Sequence, residues 1–173
     1  MEIILDIARR LLAGLRRLVV WLVVACFAYM AVTVLVQVLG RYVFNYSIGW
    51  ASESATFAQI WMVLLAAGLA MRDRMHVGVD AVANLLPIPL MRAVTLVVAI
   101  GCAWFLWQAI VGSFSMIRIG RIQTSPAIGL PMWIPYLSLP IGLAYFALEL
   151  VLTMVDKLRD PLGSTQPAKG TAA

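Results

Sequence analysis

Four stretches of the chain stay apolar for about the length of a membrane crossing, separated by short polar or proline-rich segments. The first covers 18–39, "LVVWLVVACFAYMAVTVLVQVL"; the others cover 50–71, 92–115 and 132–155. Each is close to the ~20 residues a helix needs to cross a hydrocarbon core about 30 Å thick. The pattern predicts an all-α integral membrane protein whose residues 18–156 form a four-helix transmembrane domain.

The flanking segments follow other periods. In "MEIILDIARRLLAGLRR", residues 1–17, Ile3, Ile4, Ile7, Leu11 and Leu15 recur at helical spacing, opposite Glu2, Asp6, Arg9, Arg10 and Arg17. This predicts an N-terminal amphipathic helix lying in the membrane interface, its arginines toward anionic lipid headgroups. No small-residue cleavage pattern follows, so the first span is expected to remain in the mature protein. Between the second and third spans, "MHVGVDAVANLLPIPL" is too apolar for a free loop and predicts a second, short interfacial helix. His76 and Asp80 are its candidate anchoring pair. The tail 157–173 is small, polar and proline-broken, and reads as disordered.

Composition agrees with the spans. Of 173 residues, 63% are hydrophobic and 12% charged, against about half and about a quarter in a soluble domain. The net charge of +5 orients the helices rather than binding nucleic acid, since no basic–aromatic surface accompanies it. Arg9, Arg10, Arg16, Arg17, Arg72, Arg74, Arg92, Lys157, Arg159 and Lys169 fall on one side; Arg41, Arg118 and Arg121 fall on the other. Positive residues favour the cytoplasm, which places both termini there and the 40–49 and 116–131 segments outside. Trp21, Trp50 and Trp133 stand near the predicted interfaces, as an aromatic belt requires.

An ionisable side chain in a span is costly and calls for a partner or a function. Glu53 opens the second span, where Ser52, Thr56 and Gln59 share one helical face that it borders. That flank, with Trp50 and Trp61, is a candidate contact with another subunit. If the first two spans form a hairpin, Arg41 comes to the depth of Glu53 and can grip its carboxylate with two hydrogen bonds. Glu53 is thus a structural ion pair with Arg41, a subunit contact, or an acid that carries a proton or cation. Glu149, near the inner end of the fourth span, is expected at the interface or beside a basic residue such as Lys157. Pro135 and Pro140 should kink the fourth span. Cys26 and Cys102 lie in apolar runs and read as small hydrophobes, without a second ligand type for a metal. A single histidine cannot supply a haem pair in facing helices, and no catalytic constellation stands in the sequence. Neither cofactor nor metal is expected, and the chain does not read as an enzyme.

Several segments in order resemble the small membrane subunit of tripartite ATP-independent periplasmic (TRAP) transporters, the DctQ-like family. They are "RYVFNYSIGW" followed by Glu53, then Trp61 and Gly68, "MHVGVD" at 75–80, and "TSPAIGLPMWIPYLSLPIG" at 124–142. Ser52 departs from the pattern, since many relatives place a second acid beside Glu53. The resemblance implies a bacterial inner-membrane scaffold for a large subunit that moves substrate and sodium. It also implies a periplasmic solute-binding protein that delivers the substrate, typically an organic acid with a carboxylate. Arg118, Arg121, Pro126 and Pro131 are then candidates for the docking surface. The competing reading from the residues alone is a self-contained four-helix exporter of the small multidrug type, driven by protons.

Overall fold

In the computed structural model, residues 2–46, 48–72 and 88–159 are described. They form helices α1 (Glu2–Tyr42), α2 (Gly49–Arg72), α3 (Ile88–Gly120), α4 (Trp133–Tyr136) and α5 (Ser138–Arg159). Four segments are long and apolar enough to cross a membrane: Arg9–Tyr42, Gly49–Arg72, Arg92–Gly120 and Trp133–Val155. The protein is therefore an all-α, multi-pass membrane protein, as the hydropathy pattern predicts.

The spans are arranged as an open row. α1 packs on α2, α2 on α5, and α5 on α3, with no extensive packing of α1 on α3 among the described residues. In the most apolar stretches of the flanking helices α1 and α3, 11% of residues are buried; the figures for the central segments are 22% and 28%. Trp21, Phe27, Leu35, Val97, Trp104 and Trp107 are exposed along the two flanks. Such surfaces suit lipid or another membrane helix.

Two clusters hold the row together. Val19, Leu65 and Tyr145 join α1, α2 and α5, with Trp61 against them. Met71, Leu106 and Leu150 join α2, α3 and α5. Glycines set the α2–α5 distance from both sides. A Cβ on Gly68 would run into the Tyr145 ring, and a Cβ on Gly142 would run into the Cβ of Leu64. Small residues allow this approach where no hydrophobic effect drives helices together.

α1 continues without a break through residues 17 and 18, so the predicted amphipathic segment and the first span are one helix. Its 41 residues reach roughly 60 Å, about twice the hydrocarbon thickness. Nothing between Arg9 and Leu18 stops a helix, because a lone Gly14 among leucines, alanine and arginines is tolerated. Ile7, Leu11 and Leu15 are exposed on it. The second interfacial helix, with His76 and Asp80, and all of the tail beyond residue 159 lie outside the described residues.

The expected bend in the fourth span is a one-residue interruption at Leu137, between α4 and α5. Pro140 has no N–H to return to the carbonyl of Tyr136. Pro135 is fully buried, and its carbonyl accepts the Ser138 hydroxyl at 2.6 Å. That carbonyl is therefore satisfied within its own span, without help from a neighbouring helix.

Candidate functional site

Polar chemistry collects at the two ends of the row. At one end, Glu149 of α5 is fully buried. Arg16 of α1 donates from Nε to Oε1 at 2.8 Å and from Nη2 to Oε2 at 2.7 Å. This two-pronged fit uses the planar guanidinium against the planar carboxylate. It is a salt bridge between α1 and α5. Tyr145, one turn earlier on the same face of α5, has a buried hydroxyl without a hydrogen-bond partner.

The partner expected for Glu149 was the interface or Lys157; the structure supplies Arg16 instead. Lys157 lies eight residues further along α5, roughly 12 Å up the axis. Arg16 comes from a helix at the same depth. The missed signal was the pairing of an acid near the end of the last span with the arginine run that opens the first.

At the other end, α1 closes with a tight turn. Asn45 is left-handed, at φ 51°, a conformation Asn tolerates better than most residues. The turn brings the Tyr46 N–H to the Gly40 carbonyl at 2.9 Å. A Cβ on Gly40 would sit 3.2 Å from the Tyr46 oxygen and from Ile48 Cδ1. The segment "GRYVFNY" is thus a helix stop folded back on its own last turns. Replacing Asn45 by Val is expected to destabilise the protein by about 1–2 kcal/mol, whereas Gly should be tolerated. Thermal unfolding of the purified protein checks both.

The turn does not bring Arg41 to Glu53. Arg41 is exposed, and Glu53 Oε2 instead accepts the backbone N–H of Ala127 at 3.0 Å. The ion pair expected between them is not formed in this structure; the segment between α3 and α4 supplies Glu53 with a backbone donor instead. This segment is a compact loop. Ser125 N–H donates to the Leu130 carbonyl at 2.8 Å and Gly129 N–H to the Ser125 carbonyl at 2.9 Å. Ile128 N–H donates to Ser125 Oγ at 3.3 Å, and Thr124 pairs with Pro131 in an isolated bridge. Gly129, at φ 73°, supplies the left-handed residue. The Arg118 Nη2 donates to Ser115 Oγ at 3.3 Å. Arg118, Arg121 and Pro126 are exposed, and Pro131 is half-buried.

The α2 flank divides. Trp50, Ser52, Thr56 and Gln59 are exposed. Trp61 is turned inward onto the Val19–Leu65–Tyr145 cluster, two residues and so about 200° round the helix from Gln59. Thr56 returns its hydroxyl to the Ser52 carbonyl at 2.9 Å, and Ser54 returns its own to Ala51 at 3.1 Å. Such back-bonding satisfies a hydroxyl within its own helix. Gln59 has no such outlet and stands roughly 15 Å along the axis from the start of α2. Below it, Met62, Val63, Ala66, Ala67 and Ala70 line an open apolar groove of about 540 Å³ with Val23, Val24 and Phe27 of α1.

Cys26 and Cys102 are free thiols. No group of three or more metal-ligating side chains occurs among the described residues.

Comparison with known proteins follows the same outline. Residues 30–160 match the family described as tripartite ATP-independent periplasmic transporters, DctQ component. The chain is 31% identical over 114 residues to the isethionate TRAP transporter permease protein DctMQ of Oleidesulfovibrio alaskensis, covering 64% of this chain and 18% of that protein. It is 29% identical over 132 residues to the C4-dicarboxylate TRAP transporter small permease protein DctQ of Vibrio cholerae, covering 62% and 57%. It is 24% identical over 147 residues to the ectoine TRAP transporter small permease protein TeaB of Halomonas elongata, covering 82% and 75%. The chain thus spans only part of the length of the first two.

Proposed function

Since the chain belongs to the DctQ component family of tripartite ATP-independent periplasmic transporters, we propose that it is the small scaffold subunit of a sodium-coupled importer of an organic acid bearing a carboxylate. It steadies a large membrane subunit in the inner membrane and adds to the surface on which a periplasmic solute-binding protein docks. It performs no enzymatic reaction. The named substrates of its relatives differ, from isethionate to C4-dicarboxylates to ectoine. Substrate choice therefore belongs to the partner subunits.

The observation that carries this reading is the exposed polar stripe of α2. Gln59 offers a carboxamide at membrane depth on the outside of the row, with no side-chain hydrogen bond of its own. Lipid tails cannot satisfy it, but a neighbouring helix can. The deeply buried acid, Glu149, is by contrast neutralised internally by Arg16, which favours a structural part over proton exchange. In DctMQ the matching stretch is a fraction of one longer permease chain, consistent with a small unit that works beside a larger one.

Counting basic residues supports cytoplasmic termini, with the Glu149 end inside and the Glu53 end in the periplasm. The N-terminal turns of α1, bare at Ile7, Leu11 and Leu15, then anchor in the inner-leaflet lipid. Affinity purification from mild detergent tests the proposal. The co-produced large permease is expected to come with the tagged chain at constant ratio. Its absence, or solute accumulation driven by the lone chain in liposomes, would overturn the scaffold reading.

A further inference from the structure

Each backbone N–H from Ser125 to Gly129 can be followed to an acceptor. Those of Ser125, Ile128 and Gly129 stay inside the loop, and Pro126 has none. Ala127 alone reaches outside it, to the carboxylate of Glu53, 74 residues away in sequence. The loop is therefore self-folded and tied to α2 by this hydrogen bond. Just before it, Arg121 and the 88% exposed Ile122 return their N–H groups to the Arg118 and Ile119 carbonyls at the end of α3, while Pro126, Ala127 and Ile128 are the exposed residues of the turn itself.

We infer that Glu53 is a positioning residue: acting as a hydrogen-bond acceptor, not as a charge, it clips the 121–132 loop to α2 and so presents the exposed Pro126–Ile128 turn to a soluble partner. The donor it holds is a neutral backbone amide, so one well-placed oxygen suffices, and a glutamine side chain carries that oxygen at the same reach. A charged acceptor strengthens the bond but is not required for it. The turn bares the apolar Pro126 and Ile128, and the exposed cations Arg118 and Arg121 precede it at the end of α3. Its complement is a protein surface with acidic side chains around an apolar patch. The identification of that partner as the solute-binding protein rests on the docking reading above.

The test compares Glu53→Gln and Glu53→Ala in the complete transporter, purified and reconstituted with its large subunit. Hydrogen exchange of the 121–132 peptide reads the clip directly, without any partner. Exchange there should quicken about tenfold in Glu53→Ala, the effect of losing one hydrogen bond of ordinary net strength, and stay near wild type in Glu53→Gln. Uptake at varied binding-protein concentration reads its consequence. The apparent KM for the binding protein should rise about threefold or more in Glu53→Ala with the maximal rate kept, as expected for lost docking, and Gln should restore it.

Equal failure of both variants would show that the charge matters and overturn the inference. So would wild-type exchange in Glu53→Ala, or a fall in the amount of complex with KM unchanged. Faster exchange in Glu53→Ala without any change in KM would bear out Glu53 as the clip but overturn the docking role. A wild-type transporter whose uptake ignores the binding protein would sink the docking reading itself.

Discussion

Arg16→Ala is expected to destabilise the protein by about 3–5 kcal/mol, the usual cost of stranding one member of a buried ion pair. Glu149 is fully buried and both its oxygens are engaged by Arg16. Without the guanidinium the carboxylate must stay charged in an apolar seam, take up a proton, or drag the end of α5 toward water. Glu149→Gln should be milder than Arg16→Ala, because an amide can still accept from Arg16 while the cation keeps access to solvent. The pair Arg16→Met with Glu149→Leu should recover most of the lost stability, since replacing both charges removes the desolvation cost together with the attraction. Thermal unfolding of the detergent-solubilised protein distinguishes these outcomes. A double variant no better than Arg16→Ala would mean that Arg16 serves something other than Glu149.

Gly142→Leu and Gly68→Leu are expected to separate α2 from α5 and to cost at least the ~1–3 kcal/mol typical of overpacking. At Gly142 the obstacle includes the Leu64 backbone, which cannot swing away as a side-chain tip can. At Gly68 it is the Tyr145 ring, itself held in the Val19–Leu65 cluster. Gly68→Leu with Tyr145→Ala should therefore recover part of the loss, because it opens space for the new side chain. A comparable substitution at Gly101 should be far milder, as nothing stands within 4 Å of a Cβ there. A cysteine pair placed across α2 and α5 and followed by cross-linking yield would report the separation directly.

Much of the fold was legible because membrane physics leaves little choice. Runs of apolar residues of bilayer length must be helices, since each backbone polar group has to be satisfied within the segment. The span boundaries at Trp50, Arg92 and Trp133 follow from aromatic and basic residues that favour the interface. The exposed stripe of Ser52, Thr56 and Gln59 was legible from helical spacing alone. Trp61 was not: a large aromatic near a polar stripe packs inward or outward according to what the next helix offers. Gly68 and Gly142 looked ordinary for the same reason, as small residues are frequent in spans and gain meaning only when opposed.

The charged partners divide most sharply. Sequence order suggested the nearest arginine for Glu53 and the nearest lysine for Glu149. The structure gives Glu53 a backbone amide from the α3–α4 loop and gives Glu149 an arginine from α1. By itself, then, the amino-acid order determined four crossings and the side chains too polar to face lipid. Which groups meet was decided by the row α1–α2–α5–α3, because helix order across a membrane depends on side-to-side packing that hydropathy along one chain does not encode.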